Sequence, residues 1–64
     1  MSESGGPSAA ETVRLEAEAH YHRDRLALYR ARMYGGKPTS VQRLRELERT
    51  AAAAEARAAH ARRA

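Results

Sequence analysis

A stripe of mostly apolar side chains returns along this chain at alternating steps of three and four residues, and it does so twice. Thr12, Leu15, Ala19, His22, Leu26, Tyr29 and Met33 make the first series; Leu44, Leu47, Ala51, Ala54, Ala58 and Ala61 make the second, with Val41 at its near end. Steps of this kind keep side chains on one face of a 3.6-residue helix, so each series predicts an amphipathic helix with a coiled-coil seam. The punctuation agrees. Pro7-Ser8-Ala9-Ala10-Glu11 reads as a capping box, in which the Ser8 hydroxyl accepts from the backbone N–H at position 11 and Glu11 reaches back. Neither glycine nor proline interrupts residues 9–34. Gly35-Gly36-Lys37-Pro38 then stops the helix, and Pro38-Thr39-Ser40-Val41-Gln42 repeats the start signal. The pattern predicts helices over 9–34 and 40–62, a turn over 35–39, and a polar tail over 1–8, flexible or laid on a partner's surface.

A turn of this length between two helices of similar length makes them antiparallel neighbours. The expected fold is therefore all-α, a two-helix antiparallel hairpin or short coiled coil. Folding at Lys37 sets Met33 and Tyr29 beside Val41 and Leu44, and Leu26 beside Leu47. Beyond that point the second helix offers only alanines to His22, Ala19 and Leu15. Bulky contacts are thus expected near the turn, with an alanine seam of small apolar area at the open end, which frays first. On one flank Arg23 and Arg30 are expected to meet Glu48 and Glu55, and on the other Glu18 is expected to approach Arg57. Arg32 and Arg43 fall on the same side near the turn and repel unless an acid or a phosphate lies between them.

The seam leaves a second line on the first helix unused: Ala17, Tyr21, Leu28 and Ala31, flanked by Ala27 and Tyr34. These residues cannot face the second helix together with Leu26 and Tyr29. With Arg25 and Arg32 alongside, they form a candidate partner-binding set of Tyr21, Arg25, Leu28, Arg32 and Tyr34. The occupant expected is a larger protein or a second copy that completes a bundle.

Composition strengthens the expectation of a partner. The 64 residues contain no cysteine, tryptophan or phenylalanine, and the mean hydropathy is -0.79. Chains this short bury a small fraction of their surface and sit at the edge of independent stability. Missing cysteines remove disulfides, thiolate metal sites and thiol nucleophiles. No stretch approaches the roughly 18 apolar residues of a membrane span. The start Met1-Ser2-Glu3-Ser4-Gly5-Gly6-Pro7 lacks a signal peptide's basic and apolar regions, so a cytoplasmic location is expected, or a place in a phage particle if the chain is phage-encoded. Eleven of the twelve basic residues are arginine and fifteen residues are alanine, the bias of GC-rich codons, which points to an actinobacterium or one of its phages.

Motifs for chemistry fail on inspection. His22-Arg23-Asp24 opens like a kinase catalytic loop, but the downstream asparagine and a later Asp-Phe-Gly are missing. Gly36-Lys37-Pro38-Thr39 resembles the end of a phosphate-binding loop, yet Ala31 stands where its first glycine belongs and Pro38 where its hydroxyl residue belongs. His20 and His22 are two apart and point to different sides of a helix, whereas ligands on one helix need a spacing of three or four. His22 is read as a polar residue of the seam. No metal, cofactor, small-molecule substrate or catalytic residue is expected, because a two-helix hairpin offers no pocket in which carboxylates could be held dry.

Charge supplies the alternative. The first twelve residues carry a net charge of -2 and the remaining fifty-two carry +6. Arg23, Arg30, Arg32, Lys37 and Arg43 form a candidate nucleic-acid-binding set, since guanidinium groups fork onto phosphate oxygens and tyrosines stack on bases. The run Leu28-Tyr29-Arg30 to Gly35, followed by Arg43-Leu44-Arg45-Glu46, is similar to the small helical-hairpin protein of the bacterial large ribosomal subunit. That resemblance implies a hairpin packed on ribosomal RNA near the nascent-chain exit. Alanines replace that family's lysine-rich second half here, and no RNA-contacting residue carries over. The leading expectation is a non-catalytic interaction or assembly protein that docks through its first helix. The alternative is an arginine-rich RNA- or DNA-binding accessory protein of the ribosome-associated type.

Overall fold

The computed structural model describes residues 8–64, so the expectation of a flexible tail falls, except for Ser8, outside the described residues. Two helices make up the fold: α1, Ala9–Tyr34, and α2, Val41–Arg63. They lie antiparallel in a rod of 55 × 17 × 13 Å, about one helix thick in its shortest dimension.

Each helix begins where a serine hydroxyl replaces a missing intrahelical acceptor. Ser8 Oγ accepts from the Glu11 N–H at 3.1 Å, and Ser40 Oγ accepts from the Arg43 N–H at 3.2 Å. Only half of the expected capping box forms; the Glu11 carboxylate lies 3.6 Å from Arg14. Ser40 is the cap itself, and the second helix runs one residue later than 40–62 at each end. Its backbone is held by a group that spacing assigned to packing alone: the Ser40 N–H donates to the Tyr29 hydroxyl at 2.6 Å. Tyr29 therefore fills the seam with its ring and ties the turn with its oxygen.

α1 ends in a Schellman motif. The Lys37 N–H donates to the Arg32 carbonyl at 3.1 Å and the Gly36 N–H to the Met33 carbonyl at 3.2 Å. Gly36 adopts φ 79°, whereas Gly35 keeps φ -82°. Of the two glycines, only Gly36 occupies the left-handed region that penalises a Cβ. A Cβ on Gly35 would sit 3.4 Å from the Ala31 carbonyl oxygen, an ordinary contact. We predict that Gly36→Ala costs about 1 kcal/mol, while Gly35→Ala is neutral or slightly stabilising through its effect on the unfolded chain. Urea titration of the two variants checks this, and equal losses would contradict it.

The seam has the expected register. Ala19 and Leu26 are buried on α1; Leu47, Ala51, Ala54, Ala58 and Ala61 are buried on α2; Thr12, Leu15, His22, Tyr29, Met33 and Leu44 are half-buried. Near the turn, Leu26, Leu47 and Ala51 form one cluster with Tyr29 and Leu44 against it, and farther out Ala19, Ala54 and Ala58 form another with Leu15. Val41 departs from expectation at 59% exposed. Val41, Leu44 and Leu47 are separated by two consecutive steps of three, and each such step rotates back about 60° on a helix of 3.6 residues per turn. A residue two steps ahead of Leu47 is therefore carried off the seam.

Candidate functional site

Four ion pairs cross between the helices, and three of them brace the alanine half. Arg23 forks onto Glu55, Arg57 lies 4.0 Å from Glu18, and Arg62 lies 3.1 Å from Glu16; Arg30 with Glu48, at 3.1 Å, serves the leucine half. The expected pairs are present, and Arg62 with Glu16 is an addition that a flank-by-flank reading missed. All are exposed, so each contributes little to stability, and their common effect is on register. Of the expected nucleic-acid set, Arg23 and Arg30 are thus spent on the hairpin, and Arg43 turns back to Glu46 at 3.3 Å. Glu46 pairs with Arg43 alone, so no acid among the described residues is shared by Arg32 and Arg43. Arg32 and Lys37 are exposed and have no carboxylate partner among the described residues.

The outer face of α1 carries the other set. Tyr21 is 55% exposed and Leu28 67% exposed, seven residues apart and so nearly in line along the helix. Arg25 lies one turn beyond Tyr21, with its guanidinium carbon 5.8 Å from the ring centroid and Nη1 donating to the Tyr21 hydroxyl at 3.4 Å. The Tyr21 ring meets His22 edge-on at 5.2 Å, which connects the outer face to the seam. Tyr34 is exposed in the last turn of α1, but six residues past Leu28 places it about 120° around the helix. Tyr21, Arg25, Leu28 and Arg32 therefore share one side of the rod and Tyr34 stands apart from them. Val13, exposed on the same outer side as Ala17, extends the apolar line toward the open end; one step of four from Ala17 was the signal that could have found it.

His20 pairs with Asp24 at 3.3 Å when protonated, and no group of three potential metal ligands occurs among the described residues. No described helix is long and apolar enough to cross a membrane. Neither a family model, nor a curated protein, nor a solved structure matches this chain.

Proposed function

We propose that this chain is a small non-catalytic interaction protein, an accessory or assembly subunit, that docks on a larger partner protein through the outer face of α1. The supporting observation is the allocation of apolar side chains. Of the residues buried between the helices, only Leu26 and Leu47 are larger than alanine, while Leu28 and Tyr21 are left in water on the opposite side. A hairpin so short of buried area gains most from a partner that covers those two, and Tyr and Arg are common anchors of protein interfaces. Arg25, stacked on Tyr21, presents its charge beside the apolar line and fits a partner with an acidic rim. If the chain is phage-encoded, the same face suits a component of the particle.

Leu28→Glu is expected to abolish partner capture in a pull-down from host cells and to leave the helicity of the hairpin unchanged, since Leu28 takes no part in the seam. Sedimentation of the chain alone separates a second copy from a different partner. Undiminished capture by the variant would defeat the docking reading.

A further inference from the structure

The turn-proximal half of the rod carries the whole charge surplus of the described chain. Residues 21–54 hold eight basic side chains against three acids, whereas residues 8–20 and 55–64 together hold four of each. Ion pairing sharpens this imbalance. Every described carboxylate has a basic neighbour: Glu11 and Glu18 have Arg14, Glu16 has Arg62, Asp24 has His20, Glu46 has Arg43, Glu48 has Arg30 and Glu55 has Arg23. No carboxylate partner among the described residues remains for Arg25, which lies over the Tyr21 ring, for Arg63 at the open end, or for Arg32, Lys37, Arg45 and Arg49, all of them exposed. The last four lie toward the turn, where like charges repel one another and no ion pair within the hairpin offsets that repulsion.

Their placement selects the kind of anion. Arg45 and Arg49 are one turn apart, a rise of about 6 Å, and each lies two residues from Leu47, hence on the side of α2 away from the seam. Around them that side offers Gln42, Ala52, Ala53 and Ala56, all exposed, with Val41, 59% exposed, one turn before Arg45 as its one large apolar residue. A protein interface there would have no aromatic anchor and a single valine, and a membrane-surface helix would lack a continuous apolar face. A phosphate backbone needs neither, since guanidinium forks supply both charge and directed hydrogen bonds.

We infer that the turn end of the hairpin binds the phosphodiester backbone of nucleic acid through Arg32, Lys37, Arg45 and Arg49. This surface follows the outer side of α2 and the turn. It goes beyond the docking face on α1, from which it takes only Arg32, one turn past Leu28 at the turn end of that face.

The test is fluorescence anisotropy of the full chain with labelled oligo(dT), oligo(U) and a DNA duplex, titrated at several salt concentrations; the three probes separate RNA from DNA and single strands from double. Binding that weakens with a log-log salt slope of about -3 for a single strand is expected, from four contacts at about -0.7 each. Arg45→Gln/Arg49→Gln should weaken binding by about 10-fold or more and bring the slope to about -1.5. The charge-matched control Arg62→Gln/Arg63→Gln should change it by less than about 3-fold, as these residues lie at the open end. Leu28→Gln should leave it unaltered, so failure of the docking reading and failure of this one are separately visible. The inference is overturned if no probe binds at low salt, if the two arginine pairs lose affinity equally, or if phosphatidylserine vesicles bind more tightly than every oligonucleotide.

Discussion

Leu26→Ala and Leu47→Ala are each expected to unfold the isolated hairpin near room temperature. These are the only side chains larger than alanine among the buried residues between the helices, 9% and 8% exposed, and they meet each other and Ala51 in one cluster, with Tyr29 and Leu44 laid against it. Truncating a buried leucine removes its transfer free energy and leaves a void that neighbours refill only in part, a cost of about 2–4 kcal/mol here. A domain of this size, whose remaining seam is alanine, has total stability at the lower end of the usual several kcal/mol, so the loss is comparable with the whole. Leu44 is only half-buried, and Leu44→Ala should cost less, about 1–2 kcal/mol. In thermal melts followed by circular dichroism, the two buried-site variants should fall by on the order of 10–30 °C and Leu44→Ala by clearly less. A melt of Leu26→Ala within about 2 °C of wild type would show that stability resides elsewhere.

The seam was legible in the sequence because helical register is periodic and needs no knowledge of the partner helix. Thr12 to Met33 and Leu44 to Ala61 could be placed on one face by counting, and each of them is at least half-buried. Val41 was misplaced because hydrophobicity was allowed to outweigh the count: two steps of three do not stay on one stripe. The Tyr29 hydroxyl bond to the Ser40 N–H was illegible for a different reason. Which backbone group a phenol reaches depends on how the turn closes, and that is set by Gly36 and the Schellman bonds, not by spacing along α1. The charge sets were half legible. Opposite charges at matching flank positions identified Arg23, Arg30, Glu48 and Glu55 as a structural group, yet Arg23, Arg30 and Arg43 also entered the nucleic-acid set. Only assignment of each carboxylate to its nearest cation separates spent arginines from unspent ones. Arg45 and Arg49 were then the residues overlooked. A signal was available, since the acids three residues from them, Glu48 and Glu46, are taken by Arg30 and Arg43.

Ala58→Leu is expected to open the hairpin from its free end. The alanine half has little apolar area, yet it is the most completely enclosed part of the molecule: Ala54 is 1% exposed and Ala58 0%. Such enclosure of a methyl group, with Ala19 and Leu15 packed on it, means that the backbones approach closely and that residue size limits the approach. A leucine at position 58 adds three carbons at a site that is already completely enclosed. Its extra burial would be worth about 2 kcal/mol if it could be accommodated, but overpacking costs about 1–3 kcal/mol even where neighbours can adjust. Here adjustment means separating the helices, which also uncovers Ala54 and Ala61 and pulls Arg62 from Glu16 and Arg57 from Glu18. The net effect is therefore destabilising and local. Amide hydrogen exchange should show protection lost over residues 55–63 and largely retained over 44–51, where Leu47 and Leu26 are untouched. Ala56→Leu, on the exposed side of the same helix, is the control and should leave exchange unchanged. If Ala58→Leu instead raised the melting temperature, the helices would tolerate wider spacing, and the alanines would reflect codon bias in place of a steric requirement.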